Sequence, residues 1–107
     1  MQAALARAKA IIHEEVEKAG YEVRRLLLLG NRARGEAAAD SDWDFLVVVD
    51  REIERPLKIR LQARIGVRLV FEGLPSDVLI ISAERFAERE HDVGHIAYYA
   101  AKEGVAI

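Results

Sequence analysis

The run Trp43-Asp44-Phe45-Leu46-Val47-Val48-Val49 constrains the fold of this chain more than any other stretch. After Asp44 it is wholly apolar and mostly β-branched, the pattern of a strand buried on both faces. Such a strand needs neighbours beside it and cover above and below it. Tyr21–Leu29, rich in Val and Leu and closed by Gly30, reads as another buried strand, and Asp77–Ser82, opened by Pro75-Ser76, reads as a third. Helical periods fill the intervals. Leu5, Ala8, Ile11, Ile12, Val16 and Ala19 precede the stop at Gly20, and Leu57, Leu61, Ile65 and Leu69 follow Pro56, which suits a first turn. Arg32–Ala39 suits a short helix and then a loop. Ser82 is placed to cap a helix over Ala83–Glu90 with Arg85 at N3, and a last helix through Ile96–Lys102 stops at Gly104. The order α-β-α-β-α-β-α-α predicts a small α/β or α+β domain with helices packed on a sheet, and periodicity leaves the pairing direction open.

Composition narrows the function. At 107 residues the chain is expected to form one domain over 1–107, large enough to fold on burial alone. With no cysteine, disulfides, thiol nucleophiles and thiolate zinc sites are excluded. Sixteen basic against 18 acidic residues give a net charge of −2, so a broad basic face for duplex nucleic acid is not expected. The longest apolar runs fall far short of the roughly 20 residues of a membrane span. The N-terminus turns acidic where a signal peptide would be apolar. A soluble, cytoplasmic domain is the expectation.

The chemistry concentrates between Gly30 and Phe45. Asp42 and Asp44 lie two apart at the entry to the apolar strand, so both carboxylates point to one face, roughly 7 Å apart at the backbone. At that spacing they either flank a solvated edge or converge on a hard cation. Magnesium accepts one or two carboxylates completed by substrate phosphates and water. Upstream, Gly30 ends a strand, and Asn31 is read as the N-cap of a helix starting at Arg32, whose N–H groups would suit a phosphate. Arg32 and Arg34 add positive charge. A phosphate cradle beside paired carboxylates is the layout of nucleotidyl or phosphoryl transfer.

These residues resemble the minimal nucleotidyltransferase (MNT) domains of the DNA polymerase β-like superfamily. The family signature is Gly-Ser, ten residues, then Asp-x-Asp; here Gly30-Asn31 is followed by ten residues and then Asp42-Trp43-Asp44. Gly94-His95-Ile96-Ala97-Tyr98-Tyr99-Ala100-Ala101-Lys102-Glu103-Gly104-Val105 resembles the family's last helix, so the likeness covers most of the chain. It implies an α+β fold, a small mixed sheet of three to four strands with helices packed on it, in the manner of the polymerase β-like palm. It implies magnesium on Asp42 and Asp44, with Asp77 as third carboxylate, either general base or metal ligand. The phosphates of ATP would meet Gly30 and Asn31, with Arg34 beside them. It further implies transfer of AMP to an acceptor hydroxyl, with acceptor recognition left to a partner or another subunit. Similar domains pair with HEPN-domain toxins as antitoxins and adenylylate them, typically at a tyrosine. Asn31 stands where the family has Ser, which puts turnover in question; the alternatives are an antitoxin that neutralises its partner by contact, and a nucleotide sensor.

Other residues carry less. His13 reads as a helix-face residue. His91 and His95 are four apart, but the break at Gly94 argues against a metal pair on one helix. Tyr98 and Tyr99 are expected to pack the last helix or meet a partner, and Trp43, opposite the aspartates, to join the core. Lys58, Arg60, Arg64 and Arg68 form a basic stripe whose ordinary explanation is a solvated helix face.

Overall fold

A computed structural model describes residues 2–36 and 41–107. Helix α1 (Gln2–Lys18) leads into β1 (Val23–Leu29), the short α2 (Gly30–Arg34) and β2 (Trp43–Val49). Then come α3 (Arg55–Phe71), β3 (Ser76–Ser82), α4 (Ala83–Arg89), α5 (Ile96–Glu103) and a two-residue β4 (Val105–Ala106). The strands form one sheet in the order β3-β2-β1-β4. β2 runs antiparallel to β1 and parallel to β3, and β4 is antiparallel to β1. The fold is therefore the α+β, mixed-sheet architecture expected. Its parallel pair is joined by α3, the crossover that parallel strands require.

Strand alternation divides the core in two. On one face Leu26, Leu28, Trp43, Phe45, Val47, Val49, Val78 and Ile80 pack beneath α1 and α3, against Ile12, Val16, Ile65 and Leu69. On the other, Leu27, Leu46, Val48 and Ile81 meet Phe86 of α4 and Ala97 and Ala100 of α5. β2 is thus covered on both faces, as its unbroken apolar run demands. Ser82 caps α4 by accepting from the Arg85 N–H at 3.1 Å. α3 runs through Gly66 without a break, held by the Leu61, Ile65 and Leu69 stripe.

Two local expectations are corrected, the cap at Asn31 and the basic stripe on α3. α2 begins at Gly30 with Leu29 as N-cap, so Asn31 lies inside the helix and caps nothing. α2 also ends at Arg34, where Gly35 turns left-handed (φ 73°), and residues 37–40 of the expected loop lie outside the described residues. The basic stripe on α3 is partly an inter-helix clamp. Arg68 donates to Glu15 of α1 at 2.7 Å and approaches Glu14 at 3.3 Å, and Arg64 comes within 3.9 Å of Glu15. Glu15 is only 3% exposed, and its hydrogen bond, followed by that of Glu14, holds the Arg68 proton more firmly than usual. A buried carboxylate without such partners would be strongly unfavourable.

Candidate functional site

The parallel register sets Asp44 of β2 directly beside Asp77 of β3. Both side chains emerge on the α4–α5 side of the sheet, at the end where β2 begins. Trp43 points the other way into the core, as alternation requires. Asp42 stands exposed just before β2. Asp44 is half-buried, and its carboxyl is pushed up from the ordinary value of 3.8, first by burial, then by the charges of Asp77 and Asp42. Two like charges therefore act on the Asp44 carboxylate.

Gly30 forms the wall beside Asp44. Its φ is +71°, and a Cβ there would fall 2.6 Å from Asp44 Oδ2. Glycine is required twice, for the left-handed backbone and for the space the carboxylate occupies. One residue on, Asn31 Oδ1 accepts from the Arg34 guanidinium. That bond leaves the amide NH2 as the end that can donate to an anion. Arg34 is further held by Glu36 at 2.7 Å and lies 3.8 Å from Glu103 of α5. Arg32 turns to the opposite side. It stacks 4.1 Å from the Trp43 ring centre and donates to the Ser41 carbonyl at 2.7 Å, tying α2 to the residue that precedes Asp42.

Gly30, Arg34, Asp44, Asp77 and Glu103 line a cavity of about 490 Å³ together with the apolar Leu79, Ile96 and Tyr99. Asp42 and Asn31 do not line it: Asp42 acts on Asp44 through its charge, and Asn31 is bonded to Arg34. Ile96, Tyr99 and Leu79 escaped the sequence reading as site residues. Their only signal is apolar character on elements whose packing against the sheet is not local. His95 caps α5, its Nδ1 accepting from the Ala97 N–H at 3.0 Å, and His91 lies exposed before that helix, so the two do not share a helical face.

The donor set suits a hard divalent cation. The carboxylates repel one another as they stand, and a divalent cation such as magnesium, which needs few protein oxygens, would relieve that repulsion. Among the described residues no group of three or more His, Cys, Asp or Glu forms a closed metal cage. An open pair on neighbouring strands leaves coordination positions for substrate oxygens instead.

Comparison with known proteins places the chain in a family. The nucleotidyltransferase domain family matches residues 9–102. A protein adenylyltransferase MntA of Aphanizomenon flos-aquae (strain 2012/KM1/D3) is 30% identical over 84 residues, which cover 77% of this chain and 54% of that protein. The chain thus spans about half the length of that relative. A crystal structure of a toxin–antitoxin with AMP-PNP superposes with a TM-score of 0.59 over 91% of this chain and 69% of that one, at 14% identity, which is a likeness of fold. The chain belongs to the nucleotidyltransferase domain family.

Proposed function

We propose that this nucleotidyltransferase domain moves AMP from ATP to a hydroxyl of a partner protein, a tyrosine of a HEPN-type toxin, and so acts as an antitoxin. The observation that carries the reading is the in-register pair Asp44 and Asp77, with Asp42 adjacent, in a cavity lined by both charged and apolar residues. A nucleotide has the same division. The apolar side, Leu79, Ile96 and Tyr99, takes the base, and the Gly30–Arg34 side takes the phosphates. Arg34 and the Asn31 amide contribute donors there. The adenylyltransferase relative and the AMP-PNP-bound fold neighbour support a nucleotide as substrate, and the toxin–antitoxin neighbour supports the class of partner.

Asp42 and Asp44 would hold magnesium, which when bound would neutralise the phosphates and offset the carboxylate repulsion. The residues do the rest. Gly30, lacking a Cβ, leaves the Asp44 carboxylate its place beside α2. Asp77, the more exposed carboxylate, accepts the proton of the attacking hydroxyl. The hydroxyl oxygen bonds to the α-phosphorus as the bond to the bridging oxygen breaks, and pyrophosphate leaves with that electron pair. Positioning and charge neutralisation supply the rate.

Mass spectrometry of a co-encoded HEPN-type toxin, incubated with this chain, ATP and magnesium, tests the reading. The expected result is a toxin heavier by one or more AMP groups, with no increase for the Asp42→Asn, Asp44→Asn variant. An unmodified toxin in a stable complex with both versions refutes transfer and leaves neutralisation by contact.

A further inference from the structure

α3 has two apolar faces, and the core uses only one. Leu61, Ile65 and Leu69 are buried against the sheet. On the opposite side Ile59, Ala63, Gly66, Val67 and Val70 recur at helical spacing, with Phe71 at the end. Val67 and Val70 are more than half exposed and Phe71 is 84% exposed. A surface helix ordinarily presents a polar face to solvent, and here that face carries an apolar stripe. A contiguous stripe of this kind, unlike a single exposed apolar residue, marks a contact surface.

The charges bordering the stripe are of one sign. From Arg55 to Phe71 the helix carries five cations and no acid. Arg60 and Arg64 border one edge and Arg55 the other. Arg64 leans within 3.9 Å of Glu15, and Arg55 and Arg60 make no ion pair with the described residues. This pattern disfavours a second copy of the chain. An antiparallel two-fold pairing sets each edge against the same edge of its mate, so Arg60 and Arg64 would confront themselves. It also disfavours an anionic membrane, because the net charge of −2 provides no long-range attraction. Short-range recognition of a discrete acidic partner remains.

We propose that the outward face of α3 is a docking surface for an amphipathic helix of a protein partner, whose apolar stripe is bordered by Asp and Glu. α3 covers the sheet face opposite Asp44, so a partner seated there leaves the cavity of Asp44 and Asp77 open. The inference stands whether or not the site transfers nucleotides.

Two labelled helical peptides test it, each with leucines at i, i+3, i+4 and i+7, one bordered by Glu and one by Lys. Fluorescence anisotropy should show the Glu-bordered peptide binding about tenfold more tightly, with a preference that shrinks as salt rises. Arg60→Glu should erase most of that preference. Val67→Glu with Val70→Glu should weaken binding about tenfold or more while circular dichroism and melting stay unchanged, since both sites are exposed. Equal binding of the two peptides, or no binding, overturns the proposal. So does concentration-dependent dimerisation of the free chain that Val67→Glu with Val70→Glu abolishes, which makes the face a self-interface. Retention on phosphatidylglycerol vesicles in preference to the peptide overturns it in favour of a lipid surface.

Discussion

Replacing Asp77 by asparagine should make the metal-free protein more stable while removing its response to magnesium. Adjacent strands are about 4.8 Å apart, so two carboxylates in register repel by roughly 0.9–3.5 kcal/mol for an effective dielectric of about 80 down to 20. Asp44 is half-buried and Asp77 is exposed, so solvent places the value near the low end, about 1 kcal/mol. For a domain of this size that corresponds to a rise in Tm of about 4 °C. The pH dependence has a defined sign. Asp44 has a folded-state pKa above 3.8, so the native state binds its proton more readily than the unfolded state does. The repulsion is therefore fully felt above the folded pKa, is relieved as pH falls through it, and is absent below 3.8. The advantage of Asp77→Asn should accordingly be present at pH 7.5 and shrink as the medium is acidified. Bound magnesium would act on the same repulsion. At about ten times its Kd it should stabilise the unmodified protein by about 1.4 kcal/mol, and the variant by much less. The assay is thermal melting at pH 7.5 and pH 4.5 with EDTA or magnesium. A variant that melts lower than the parent in EDTA at pH 7.5, or that gains as much from magnesium, refutes the reasoning.

Gly30→Ala should lower Tm by several degrees, since a left-handed Cβ costs about 1–2 kcal/mol and this one meets the Asp44 carboxylate, and it should weaken ATP binding at least about tenfold by calorimetry. Tyr99→Ala should raise the KM for ATP about tenfold with little change in kcat, because base stacking on an aromatic ring is worth about 1–3 kcal/mol. Ile65→Ala, at a fully buried position under the sheet, should cost about 2–5 kcal/mol in chemical denaturation. Arg68→Ala should lower Tm clearly more than Arg64→Ala, because it strips the buried Glu15 of its 2.7 Å partner.

Most of the architecture was legible because its signals are local. The buried run of β2, the helical periods, the Ser82 cap and the alternation that separates Trp43 from Asp44 all follow from neighbouring residues. What escaped depends on distance along the chain. Val105–Ala106 is too short to show a strand period, and it forms β4 only because β1 offers a free edge. The pairing of Arg68 with Glu15 joins two helices whose facing sides no pattern within either helix reveals. Asn31 was misplaced as a cap because the turn of φ +71° at Gly30 starts α2 earlier than its composition suggests. Asp42 and Asp44 were visible from their spacing as a pair of carboxylates on one face. The neighbouring position of Asp77 and the apolar wall of Leu79, Ile96 and Tyr99 require the sheet and α5 to be assembled.

The adjacency of Asp44 and Asp77 also bears on the timing of synthesis. On the ribosome the Gly30 turn and Asp42-Trp43-Asp44 emerge well before Asp77, and β3 can pair with β2 only after the α3 segment between them has been made. A nascent chain therefore carries the most recognisable part of the motif without the register that completes the carboxylate cluster. Parallel pairing across a crossover is among the slower folding events, because its loop must close before any contact repays the lost entropy. The cluster is thus a product of completed folding, and premature or truncated chains are kept from assembling it by topology alone.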